Sequence, residues 1–107
     1  MVRNDILKNA ERIINGSREE TYGTPEDSFT RIAKFWSAYL DKDITNTDVA
    51  NMMCLFKLAR IMGKYKFDSY VDLAGYAAIA GELGMAQFKA SCPDADFKNV
   101  MGDVVEN

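Results

Sequence analysis

Cations and carboxylates at helical spacing on two neighbouring apolar segments are the parts of this chain best suited to chemistry. Residues 48–64 read DVANMMCLFKLARIMGK. At about 100° per residue, Lys57, Arg60 and Lys64 fall within roughly 60° of one another. Residues 68–83 read DSYVDLAGYAAIAGEL and bring Asp68, Asp72 and Glu82 near one face, beside Gly75 and Tyr76. Lysine and arginine in one arc grip phosphate. Asp68 and Asp72, one turn apart, are the start of a hard-metal site for Mg2+, with Glu82 or Asp48 as the third oxygen donor. Tyr76 is placed to stack on a base or to bond a sugar. A second constellation is Arg18…Tyr22-Gly23, where Gly23 permits a turn that a β-carbon would oppose and Arg18 offers a bidentate grip on an anion.

The same side chains have a purely structural use. Folding the two segments about residue 65 or 66 sets Arg60 opposite Val71–Asp72 and Lys57 opposite Ala74–Gly75. An Arg60–Asp72 ion pair with Lys57 nearby would then fix helix register, and Gly75 would let the two helices approach closely. A register lock and a ligand site are both consistent with this pattern.

Composition narrows the choice. Histidine is absent, which excludes imidazole bases and every Ser/His or Cys/His mechanism. The two cysteines, Cys54 and Cys92, form neither a disulfide framework nor a metal knuckle. With a net charge of −3 the chain lacks the basic excess of a duplex-DNA binder. No apolar run approaches the ~18 residues of a membrane span, and the charged, amphipathic N-terminal stretch is unlike a signal peptide. The expectation is a soluble cytoplasmic protein. Its 107 residues suit one domain, residues 1–107.

The elements that must position these residues are helices. Ile6, Leu7, Ala10, Ile13 and Ile14 predict a first helix over about 3–15, stopped by Asn15-Gly16. Thr24 as N-cap, Pro25 and Asp27 open a second over about 25–40, with a wide aromatic face. Thr45 with Asp48 resembles a capping box, with Thr47 as the rival cap, for a third over about 46–62. The fourth begins near Asp68 and fades near Gly84, its pattern running on through MAQFKA to about 90. DADFKNVMGDVV reads as a short C-terminal helix. Nothing alternates with period two for long enough to make a strand. The fold expected is an all-α four-helix bundle whose third and fourth helices form an antiparallel hairpin. The third helix is apolar nearly all round, and one short chain has few helices to surround it, so a homo-oligomer is expected.

The string Arg18…Tyr22-Gly23…Phe29…Trp36…Asp48…Lys57…Arg60…Asp68-Ser69…Asp72…Gly75-Tyr76 resembles a family of small helical proteins common in tailed phages and prophages. These are similar to nucleotide-modification-associated domains and, more distantly, to MazG-type nucleoside-triphosphate pyrophosphohydrolases. That resemblance implies a MazG-like bundle and a nucleotide context. It also implies paired carboxylates for Mg2+, but Ser69 and Asn51 stand where glutamates belong. The expectation is therefore a phage or prophage accessory protein that binds a nucleotide or other phosphate-bearing small molecule through Lys57, Arg60, Asp72, Tyr76, Arg18 and Tyr22. The alternatives are a Mg-dependent (d)NTP pyrophosphohydrolase and an oligomeric protein-interaction module with no small-molecule ligand.

Overall fold

The computed structural model of the chain describes residues 1–16 and 23–94. Among these residues it contains four helices and no strand: α1 (Val2–Ile14), α2 (Pro25–Leu40), α3 (Asn46–Gly63) and α4 (Phe67–Ser91). Arg18, Tyr22 and the expected C-terminal helix lie outside the described residues.

Each boundary has a local cause. α1 stops because the chain turns back on its own backbone: a β-carbon at Gly16 would lie 2.6 Å from the Arg12 carbonyl oxygen. α2 opens with Pro25 in its first turn, and Thr24 Oγ1 accepts from the Asp27 N–H at 3.1 Å. It closes at Asp41, which takes a left-handed φ of 55°. Ser37 then clamps the turn into α3, because its Oγ accepts from Ile44 N–H at 2.9 Å and donates to Ile44 O at 3.2 Å. α3 begins with a full capping box. Thr45 Oγ1 accepts from Asp48 N–H at 3.0 Å, and Asp48 Oδ2 accepts from Thr45 N–H at 2.9 Å. Thr45, not Thr47, is the cap. α4 runs straight past Gly84 to Ser91, and at about 1.5 Å per residue it is the longest rod of the fold.

α3 and α4 form the antiparallel hairpin, α2 packs on α3, and α1 lies along α4. The hairpin register is legible in three contacts. Lys57 meets Asp72, Gln87 Nε2 donates to Asn46 Oδ1 at 3.3 Å, and Gly84 faces the Thr47 methyl. Asn46 also donates to Thr30 Oγ1 at 3.2 Å, so one amide links α2, α3 and α4. The core between the rods is built from Ala50, Ala80 and Leu83, against which Phe29 and Ile79 pack. Val49 is fully buried beside them in sequence.

One packing expectation is corrected. Gly75 does not make room for α3; it makes room for α1, whose Ile14 Cγ2 would lie 3.1 Å from a β-carbon there. α3 is not enclosed on all sides, and Leu55, Phe56 and Met62 are exposed. Among the described residues α2 and α4 pack on α3 and leave its other side open. No helix among the described residues is long and apolar enough to cross a membrane.

Candidate functional site

A cavity of about 260 Å3 opens where α1 crosses α4 and the start of α2 closes the gap. Its position follows from Gly75. The missing side chain there lets Ile14 approach, and the groove beside that contact is the cavity. α1 contributes Ala10, Ile13 and Ile14, and α3 contributes Met53. Phe29 of α2 and Tyr76 of α4 form a stacked ring pair in the wall, centroids 6.1 Å apart and planes 29° from parallel. Such a pair presents both a flat apolar surface and a phenol hydroxyl. Ser28, Asp72 and Tyr76 are the polar side chains of an otherwise apolar lining. A mostly apolar cavity with a few convergent polar groups is the usual form of a small-molecule site.

The charged edge of the site is one ion pair. Lys57 Nζ lies 2.9 Å from Asp72 Oδ2, with the two side chains 14 % and 29 % exposed. Asp72 belongs to the cavity wall, so the ammonium of Lys57 is held against a wall residue of the cavity. Lys57 Nζ also lies 5.7 Å from the centroid of the Phe56 ring, and Arg60 Cζ lies 5.8 Å from the same centroid. One aromatic ring therefore holds both cations within a turn of each other.

This corrects the expected register lock. The partner of Asp72 is Lys57, and Arg60 is exposed with its guanidinium against Phe56. The reason lies in the helix rotation. Lys57 falls near the middle of the arc that α3 turns toward α4, together with Ala50 and Ile61, while Arg60 sits roughly 60° away at its rim. The long lysine stem carries its charge out to the carboxylate from a half-buried position.

The three-carboxylate metal set is corrected as well. Asp68 and Glu82 lie at about one angle on α4, but fourteen residues separate them, which is roughly 21 Å along the axis. No ion reaches both. Asp48, the other expected donor, has its Oδ2 engaged by the capping box. Among the described residues no group of three His, Cys, Asp or Glu side chains stands where it could hold a metal ion. Asp68 and Glu82 are exposed, and Lys64 is the exposed C-cap of α3. Of the residues singled out by type and spacing, the fold brings together Lys57, Arg60, Asp72 and Tyr76. The sequence did not single out Phe29, Ile13 or Ile14 as site residues. The signal for Phe29 was its place one turn after the Thr24 cap, which aims it at whatever α2 leans on.

The profile of a family described as "Domain of unknown function (DUF6378)" matches residues 5–84. The chain belongs to this family. The matched range holds all four walls of the cavity and the Lys57–Asp72 pair. The Gene 55 protein of Mycobacterium phage D29 is 49% identical over 73 residues, which are 67% of this chain and 48% of that protein. The Gene 55 protein of Mycobacterium phage L5 is 43% identical over 84 residues, 77% of this chain and 54% of that protein. This chain thus spans about half the length of these curated relatives. Its kinship with phage proteins, expected from the sequence, is met in them. No solved structure matches the chain.

Proposed function

We propose that this DUF6378 chain is a phage accessory protein that binds a nucleotide or a nucleotide-like phosphate ligand. The flat part of the ligand enters the cavity between α1 and α4, against Tyr76 and Phe29. Asp72 accepts a hydrogen bond from an exocyclic amine or ring N–H and keeps Lys57 in place. The phosphate lies outward, toward Lys57 and Arg60. The observation that carries this reading is the wall itself: one apolar cavity of about 260 Å3 that contains both the Phe29–Tyr76 ring pair and the carboxylate holding Lys57.

Binding is favoured over MazG-like hydrolysis because Asp72 is the single carboxylate lining the cavity among the described residues. Attack of water on a polyphosphate needs a divalent ion held by several anionic oxygens. Calorimetric titration with nucleosides, nucleoside monophosphates and (d)NTPs, each with and without Mg2+, tests the reading. Saturable binding that weakens when phosphate is removed and persists without Mg2+ supports it. A panel with no heat of binding overturns it, and release of pyrophosphate from a (d)NTP would transfer the site to the hydrolase reading.

A further inference from the structure

The outer face of α3 carries an apolar seam that nothing in the chain's described residues covers. Met52, Leu55, Ala59 and Met62 recur at three/four spacing, and with Phe56 they occupy an arc of roughly 120° opposite the side that packs on α4. The exposed fractions are 38 % for Met52, 64 % for Leu55, 50 % for Phe56 and 81 % for Met62. This is the pattern of a coiled-coil seam. Such exposed side chains amount to on the order of 500 Å2, close to the largest apolar patch of a typical monomer. Two copies facing each other would bury about 1,000 Å2, which is the area where a specific interface begins.

We propose that this seam is the contact surface of a symmetric dimer, in which α3 of one copy packs antiparallel on α3 of a second. The direction follows from charge. Around the N-terminal end of α3 stand Asp41, Asp43 and Asp48 with Lys42, and around its C-terminal end Arg60, Lys64 and Lys66 with Asp68, so the first end is net acidic and the second net basic. Antiparallel packing sets the acidic end of one copy against the basic end of the other, and opposes the helix dipoles favourably. Parallel packing would set like charges together at both ends. In the antiparallel register Met52 meets Met62 of the second copy, and Leu55 meets the small Ala59, so large and small residues alternate across the seam. None of the seam residues lines the cavity, and the seam meets the site's charged edge only at Phe56 and Arg60, so the dimer does not require the ligand.

Sedimentation equilibrium and cysteine cross-linking test the proposal together. The wild-type chain should sediment at twice its 12.0 kDa at tens of micromolar. Leu55→Glu and Met62→Lys change exposed positions, and each should return the mass of one chain with unchanged helical circular dichroism. For the direction, Cys54→Ala and Cys92→Ser remove the native thiols. In that background a mixture of Met52→Cys and Met62→Cys chains should form a disulfide-linked heterodimer under mild oxidant, and neither variant alone should link to itself. A wild-type chain that stays at one chain's mass overturns the dimer. Self-linking of Met52→Cys overturns the antiparallel arrangement. A mass that Leu55→Glu and Met62→Lys leave doubled places the contact elsewhere and overturns the seam.

Discussion

Ile14, the last residue of α1, rests on Gly75 of α4 so closely that a β-carbon there would lie 3.1 Å from its Cγ2. That approach sets the depth of the cavity. An alanine at residue 75 gains helix propensity of about 1 kcal/mol and pushes against a side chain at a helix end, which can shift by a few tenths of an ångström. Gly75→Ala should therefore change unfolding free energy by less than about 1 kcal/mol in urea titrations. Gly75→Leu should cost about 2 kcal/mol and abolish ligand binding, because the added atoms must occupy the cavity or lift α1. A Gly75→Leu chain that keeps both stability and binding would show that α1 does not seat there.

The Lys57–Asp72 pair is half-buried, so its worth lies between that of an exposed and a buried ion pair. Lys57→Met should destabilise the fold by about 1–2 kcal/mol. The Asp72→Asn partner should cost a similar amount, and the double variant less than the sum, since each single change already breaks the pair. Urea denaturation of all four chains gives the coupling. Strict additivity would mean that the 2.9 Å contact carries no stability.

Thr45 and Thr47 differ in what they do, although both stand at the start of the same helix. Thr45→Ala should cost about 1 kcal/mol, because the N–H of Asp48 loses its acceptor. Thr47 faces Gly84 and makes no cap, so Thr47→Ser should cost about half as much or less. Thermal unfolding of the two variants ranks them, and the reverse order would contradict the capping box.

Burial pushes the Cys54 thiol above its ordinary pKa, whereas Cys92 is exposed. A raised pKa means less thiolate at a given pH, so iodoacetamide at about pH 7.5 should label Cys92 before Cys54. The sign for stability follows. The folded state holds the Cys54 proton more tightly than the unfolded chain, so this contribution is present below the ordinary thiol range and is lost as pH rises through the raised value. Peptide mass spectrometry reads the order of labelling, and earlier modification of Cys54 would contradict its burial.

Local signals were the ones legible in the sequence. Thr24-Pro25-Asp27 and Thr45–Asp48 mark helix starts through hydrogen bonds within three residues, and Asn15-Gly16 marks a stop through a backbone approach that glycine alone permits. The α3–α4 hairpin was legible too, since a short link between two apolar rods leaves few ways to fold. What was not legible depended on rotation and on distant docking. A turn of roughly 60° about α3 decides whether Lys57 or Arg60 meets Asp72, and spacing alone does not set it. Nothing in residues 2–14 says which face of α4 they cover, so spacing alone does not reveal that Gly75 serves α1 rather than α3. Asp68 and Glu82 share an angle, and angle without axial distance suggested a metal set that the helix rise forbids.

The most direct test of the ligand site is a titration of isotope-labelled protein with a deoxynucleoside monophosphate, followed by NMR. The account predicts that the amide signals of Gly75, Tyr76 and Ile79 and the methyl signals of Ile13 and Ile14 move together and saturate. It predicts that Tyr76→Ala and Lys57→Met each weaken the binding at least tenfold. Signals in this set that stay still while the nucleotide is raised to millimolar concentration would contradict it.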